Sequence, residues 1–106
     1  MSGDLLQGTV ELMVLKALSL EPMHGWGLTQ RLDQMSGEVF NVPHGSLYPA
    51  LQRMLRKGSI RSEWRTTENN RRARYYVMTT AGRRQLEAEI RSWRRASAAL
   101  NEILAQ

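Results

Sequence analysis

The last quarter of the chain carries an apolar pattern that a small domain cannot bury by itself. Between residues 80 and 105, a seam of heptad positions advances in steps of four and three residues. These positions are Leu86, Ile90, Trp93, Ser97, Leu100 and Leu104. The spacing predicts one continuous helix of roughly 39 Å with a coiled-coil seam along one side. Because the chain is long enough for only one domain, part of this seam requires a second chain as its partner.

Residues 5–20 predict another helix that is apolar on two sides. Val10, Val14 and Leu18 lie on one face at helical spacing, and the pattern stops at Glu21-Pro22. A second stripe consists of Leu5, Leu12 and Leu15. Since a helix with two apolar faces has to be covered twice, the second stripe needs a further cover, which another subunit can supply.

Two short helices are predicted in the middle of the chain. The first runs from about His24 to Met35, with Gly37 as its left-handed C-terminal residue. For the second, Ser46 is the expected N-cap, Pro49 falls in the first turn and Gly58 ends the helix. Its inner face contains Leu47, Leu51, Met54 and Leu55. Its outer face contains Ser46, Pro49, Ala50, Arg53 and Lys57, flanked by Gln52 and Arg56.

Two strands are expected next, over residues 59–66 and 74–79, joined by a polar turn with a basic tip. Trp64 is expected to pack in the core beneath this hairpin, and Thr79 to cap the last helix. The chain is therefore predicted to be mainly α with a small β-hairpin, a winged helix-turn-helix with a long C-terminal dimerisation helix. We expect residues 1–79 to form the DNA-binding domain and residues 80–106 the dimerisation helix, which makes a single compact unit with helix 1.

The basic residues are concentrated in one third of the sequence. Residues 53–84 hold ten basic and two acidic residues, whereas the whole chain has a net charge of +5. Such an arrangement is typical of proteins that bind a polyanion. In winged helix-turn-helix proteins the third helix enters the DNA major groove, and arginines of the hairpin suit a narrow minor groove. The predicted DNA-contacting residues are His24, His44, Ser46, Tyr48, Pro49, Gln52, Arg53, Lys57, Asn70, Arg71 and Arg72. Gln52 and Arg53 can each contact either base edges or phosphates.

Several segments resemble the PadR family of bacterial transcriptional regulators. They are residues 6–12 (LQGTVEL), 20–27 (LEPMHGWG), 45–51 (GSLYPAL), 68–76 (ENNRRARYY) and 79–82 (TTAG). The resemblance implies a homodimeric repressor that is released from DNA by a small-molecule or stress effector and dimerises through its first and last helices. The single short last helix resembles the compact branch of the family. Where the family usually has tyrosine, this chain has Trp26. Either its indole N–H can donate a hydrogen bond to a phosphate, or the ring can pack against neighbouring side chains.

Other functions find little support in the sequence. The chain has no cysteine, and no third ligand lies near its two histidines, so no metal site or cofactor is expected. No catalytic arrangement or phosphate-binding loop is present, which argues against an enzyme. No apolar run is long enough for a membrane helix, and the expected location is the cytoplasm.

The partners expected are therefore double-stranded DNA with a pseudo-palindromic operator, a second copy of the chain and a small aromatic effector. Trp93 is interpreted either as dimer packing or as an aromatic plate that lines a ligand pocket between subunits. The alternative function is a dimeric winged-helix adaptor that binds proteins without binding DNA.

Overall fold

The computed structural model describes residues 3–106, and the side chains from Thr9 onward. In chain order its elements are α1 (Gly3–Leu20), β1 (Met23–His24), α2 (Gly25–Met35), α3 (His44–Lys57), β2 (Ile60–Thr66), β3 (Arg72–Met78) and α4 (Thr80–Leu104). The predicted fold class, mainly helical with a small sheet, is confirmed. The molecule is elongated, with extents of 55 × 28 × 22 Å, because the hairpin and α4 both extend beyond the core. The division at residue 79 stays a prediction.

The core lies where α1, α2 and α3 meet. Val14 of α1, Leu28 of α2 and Leu47 and Leu51 of α3 have no exposed surface. Each lies on the apolar face that helical spacing predicts, so burial of these faces against one another holds the three helices together. Gly37 takes the predicted left-handed conformation after α2, with φ of 61°.

A three-stranded antiparallel sheet of order β1-β3-β2 closes one side of this core. The predicted hairpin is confirmed, although β3 begins at Arg72, two residues before the predicted start. Strand β1 was not predicted: it pairs Met23 with Tyr76 and His24 with Tyr75. Two residues are too few to produce the alternating pattern that identifies a strand in a sequence.

Helix α3 starts earlier than predicted. Pro43, not Ser46, is its N-cap, and the Pro43 carbonyl accepts hydrogen bonds from the backbone N–H groups of Ser46 and Leu47, both at 3.0 Å. The fixed φ of proline suits this position, so the expected turn becomes the first helical turn. Pro49 then lies one turn further inside, where its missing N–H removes the helical hydrogen bond to the Gly45 carbonyl. Gly58 ends the helix as predicted, with φ of 79°.

Helix α4 is capped and anchored at its first turn. The Thr79 hydroxyl accepts a hydrogen bond from the Gly82 N–H at 3.0 Å, which confirms the predicted N-cap. Gly82 is buried against the Ser59 carbonyl, where a Cβ atom would overlap the oxygen. Leu86 follows in the core and is only 5% exposed. Among the described residues, no helix is long and apolar enough to cross a membrane.

Candidate nucleic-acid interface

The outward face of α3 is a stripe of exposed residues that runs the length of the helix. It contains Gly45, Tyr48, Pro49, Gln52 and Arg56. Ala50, which was predicted to face outward, is completely buried. Because Ala50 is buried, the exposed face of α3 includes Arg56, which the sequence analysis placed only at the flank of the outer face. A small residue, an aromatic ring, an amide and a guanidinium thus follow one another along the surface, and such groups can meet base edges and phosphates.

One edge of α3 is charged and lies against α1. The Arg53 Nε donates to the Glu11 Oε2 at 3.1 Å, and the Lys57 Nζ to the Glu11 Oε1 at 2.9 Å. Glu11 is only 7% exposed. The sequence predicted both cations as DNA contacts on the outer face, but the structure places them beside α1, in an ion pair with a buried carboxylate. Ser46 is half-buried in the first turn of the helix.

The opposite edge of α3 is aromatic. His44 stacks between Trp26 and Tyr48, with ring centroids 5.7 Å and 5.4 Å apart and planes inclined by 18° and 19°. The Tyr48 hydroxyl lies over Gly25, where an added Cβ atom would be 2.5 Å from it, so a side chain there would require the tyrosine ring to shift. Trp26 and Tyr48 remain 60% and 41% exposed. The stack therefore joins the N-terminal turns of α2 and α3 and leaves aromatic surface at the same edge.

His24 has a structural role in the described chain. Its Nδ1 accepts a hydrogen bond from the Gly27 N–H at 3.0 Å, which makes it the N-cap of α2. Its ring also meets Tyr75 edge-on, with centroids 5.3 Å apart. A DNA contact by His24 stays a prediction.

The hairpin end carries the predicted basic tip. Asn70, Arg71 and Arg72 are all exposed, and Asn70 adopts a positive φ of 59° in the turn. Asparagine tolerates this left-handed conformation better than most residues. The turn is closed by a hydrogen bond from the Thr67 N–H to the Arg71 carbonyl at 2.6 Å. The geometry therefore presents the two arginines at the end of the molecule.

Trp64 does not pack in the core, which corrects the prediction. It is 61% exposed, and the Arg72 guanidinium lies over its ring, 5.7 Å from the centroid. Trp64 shares a strand face with the buried Ile60 but lies four residues further along. That separation, about 13 Å at the rise of a β-strand, carries it past the end of the core.

Glu63 neutralises part of the positive charge on the other face of the hairpin. It pairs with Arg61 at 3.4 Å and also with Arg65. The hydrogen bond from Arg65 is the main cause that lowers the pKa of Glu63, with smaller contributions from the Arg65 charge and from Arg61, while partial desolvation opposes the shift. The glutamate thus stays ionised at neutral pH and screens these two arginines.

The residues predicted for a dimer interface divide into two groups. Leu15 and Leu86 are buried inside the subunit, at 0% and 5% exposure. Their placement at an interface was wrong, because the packing of α1 against the sheet and α4 already covers them. Leu12 and Ile90 are half-buried and line an apolar groove of about 330 Å³ with Met13, Leu32, Met35 and Phe40. The side chain of Leu5 lies outside the described residues.

The second half of α4 leaves its seam uncovered. Trp93 and Leu100 are 51% and 54% exposed, and Leu104 is 72% exposed. Ser97 is half-buried, and its hydroxyl donates to the Arg94 carbonyl at 3.2 Å. Ile103, which heptad counting missed, is also 67% exposed.

Among the residues described from Thr9 onward, no group of three His, Asp or Glu side chains could hold a metal ion.

The helices, the sheet order and the projecting hairpin define a winged helix-turn-helix protein. A family model of the PadR-like transcriptional regulators matches residues 14–88. The chain belongs to this PadR-like family, and regulation of transcription through DNA binding is the function that membership implies.

Individual relatives agree with this assignment. The chain is 37% identical over 87 residues to an uncharacterized 37.1 kDa protein of transposon TN4556 from Streptomyces fradiae, covering 82% of this chain and 24% of that protein. It thus spans about a quarter of that relative's length. A PadR-like transcriptional regulator from Bacillus cereus is 29% identical, with a TM-score of 0.82 over 96% of this chain and 97% of that one. A transcriptional regulator from Clostridium thermocellum shares the fold, at 22% identity and a TM-score of 0.85 over 96% of both chains.

Proposed function

We propose that this chain is a sequence-specific transcriptional repressor that binds DNA as a homodimer in the cytoplasm. The observation that supports this proposal is the exposed stripe of α3 from Gly45 to Arg56, together with the exposed arginines at the hairpin tip. In this proposal α3 enters the major groove, and Arg71 and Arg72 contact the adjacent minor groove or backbone. Gln52 and Arg56 are the side chains best placed to meet base edges, while His44 and Tyr48 face the phosphates.

The homodimer is supported by the uncovered seam of α4. Trp93, Leu100 and Leu104 form an apolar surface on a helix that extends beyond its own core. A second copy offers the same surface, so a twofold arrangement covers both. Two recognition helices related by this symmetry, about 34 Å apart, match half-sites one turn apart on a pseudo-palindromic operator.

Selection of bound duplexes from a random pool tests DNA binding and symmetry together. We expect enrichment of a pseudo-palindrome. In gel-shift titrations, log Kd should change with log salt with a slope magnitude of about 5 to 9, since each subunit is expected to make three to five phosphate contacts. A flat salt response, or no enrichment, contradicts the proposal and favours the protein-binding adaptor.

Variants of α3 test which residues determine the sequence. Arg56→Ala and Gln52→Ala should weaken the selected duplex by roughly 10-fold or more, as expected for the loss of a base contact, and random duplexes much less. Arg53→Ala is the informative comparison, because an equal loss on both duplexes assigns Arg53 to phosphates or to the support of α3. Uniform losses for all three variants would contradict direct reading by this stripe.

Release from DNA by a small aromatic effector is proposed on the basis of Trp93. Its indole is half exposed on the seam where two copies of α4 would meet. A planar aromatic anion that does not intercalate into DNA, such as 2-naphthoate, should quench tryptophan fluorescence and weaken DNA binding in the wild type. Trp93→Phe is the necessary control, since Trp26 and Trp64 also emit. Equal quenching in both proteins would contradict a site at Trp93.

A further inference from the structure

A buried acid connects the first helix with the proposed recognition helix. Glu11 of α1 is the residue that receives both Arg53 and Lys57, at 3.1 Å and 2.9 Å. Its side chain is only 9% exposed, whereas the side chains of its partners are 25% and 53% exposed. The two cations are four residues apart and so occupy the same side of α3. The carboxylate therefore lies under two of the positive charges that the sequence assigned to DNA.

The electrostatic effect of this arrangement opposes binding to random DNA. Non-specific affinity rises with the number of cations that neutralise phosphates. A buried carboxylate within 3.1 Å of Arg53 Nε and Lys57 Nζ compensates one of their two charges. A carboxylate in a protein interior is also strongly destabilised without its partners, so both cations are held in place. Arg56, between them in sequence, instead lies exposed on the outward stripe.

We propose that Glu11 is a positioning residue for DNA binding that restrains Arg53 and Lys57 against α1 and so lowers affinity for random DNA relative to the operator. The proposal rests on the DNA-binding function proposed above. Through Glu11, α1 also fixes the rotation of α3, so that the stripe with Gln52 and Arg56 faces the groove. Specificity then depends on a residue that does not itself touch DNA.

The variant Glu11→Gln tests this role because it removes the charge and keeps the shape. We expect affinity for a 30-base-pair duplex of random sequence to rise about 3- to 10-fold at low salt. The slope of log Kd against log salt should steepen by about one to two units per dimer, because one further positive charge in each subunit becomes available to phosphates. Affinity for the duplex selected from the random pool should rise less, so the ratio of specific to random affinity falls.

A matched control separates this effect from a general change of charge. Glu87→Gln makes the same chemical change at an exposed position on α4, away from α3. We expect its salt slope and affinity ratio to stay close to those of the wild type. If Glu87→Gln reproduces the behaviour of Glu11→Gln, or if Glu11→Gln leaves both the slope and the ratio unchanged, the positioning role is wrong. Equal weakening on both duplexes assigns Glu11 to stability alone and also overturns it.

Two cations provide a test that leaves Glu11 in place, in case its replacement unfolds the chain. Arg71→Gln, at the exposed tip of the hairpin, should flatten the salt slope by about 1.8 units per dimer, the value for one phosphate contact in each subunit. Lys57→Gln should flatten the slope by less than half of that value, because Glu11 already neutralises the Lys57 ammonium. Equal flattening by both variants overturns the proposal. A wild-type protein that binds no duplex at low salt instead contradicts the proposed function itself.

Discussion

Two elements leave the core of this molecule, and their free ends differ in chemistry. The free end of α4 exposes Leu100, Ile103 and Leu104, at 54% to 72%. The free end of the hairpin exposes Arg71 and Arg72. Each element begins in the core, so the two differ in the side chains that their free ends expose to solvent. An apolar end is stabilised by another apolar surface, whereas a cationic end is stabilised by a polyanion.

The two elements share one attachment point. The Thr79 hydroxyl donates to the carbonyls of Gly58 and Ser59, at 2.6 Å and 2.9 Å, and the Ser59 hydroxyl bonds the Gln85 side chain. Ser59 immediately precedes β2, and Gln85 lies in the second turn of α4. The hairpin and α4 are therefore fixed to each other, which gives the proposed DNA-binding end a defined position relative to the proposed dimer end.

The largest expected effect comes from a change at this shared point. Gly82→Ala would place a Cβ atom against the Ser59 carbonyl, a backbone atom that cannot move aside cheaply. We expect the free energy of unfolding to fall by about 3 kcal/mol, at the upper end for overpacking. Urea unfolding measures this. Gly45→Ala is the matched control, because a Cβ there meets nothing within 4 Å and should be tolerated. Similar stability of both variants would contradict a rigid junction.

The next effect concerns the apolar end alone. The double change Leu100→Asn and Leu104→Asn should raise the dimer dissociation constant at least about 100-fold, since each leucine buried in an interface contributes about 1.5 to 3 kcal/mol. The subunit should remain folded, because these side chains are largely exposed. Sedimentation equilibrium provides the measurement. Ala99→Asn, on the same helix but off the heptad seam, is the control. An unchanged dissociation constant would show that α4 does not form the interface.

A smaller effect is expected at the cationic end. Trp64→Leu removes the ring beneath Arg72 and should weaken DNA binding by about 2- to 5-fold, the range of an exposed cation–π contact. Fluorescence anisotropy with a labelled duplex measures this change. The double variant with Arg72→Gln should be no weaker than Arg72→Gln alone, because Trp64 acts through Arg72. Full additivity would mean that Trp64 contributes independently of the arginine.

The sequence predicted what local rules determine. The Thr79 cap, the Gly58 terminus and the length of α4 follow from residues near one another in the chain, and all were confirmed. The start of α3 was misplaced because Pro43 and Ser46 are both acceptable at its beginning.

Other properties depend on contacts that no local pattern contains. Helical spacing identified Leu15 and Leu86 as apolar seam positions, but it could not distinguish burial within a subunit from burial between subunits. Alternation placed Trp64 on the correct face without showing where the core ends. The pairing of Glu11 with Arg53 spans 42 residues, and nothing near either residue in the sequence indicates it.

The smallest expected effect distinguishes the buried base of the hairpin, where Tyr76 lies, from its exposed tip. Burial is the main cause that raises the pKa of Tyr76, with Arg74 opposing the shift and Tyr48 adding to it. A phenol with a raised pKa in the folded state stabilises the protein fully below its unfolded value, near 10, and loses that contribution as pH rises through the folded pKa. Tyr76→Phe removes this dependence. Urea midpoints between pH 8 and pH 11 should therefore shift in favour of the variant as pH rises. Parallel curves for the two proteins would show that Tyr76 titrates as if it were exposed.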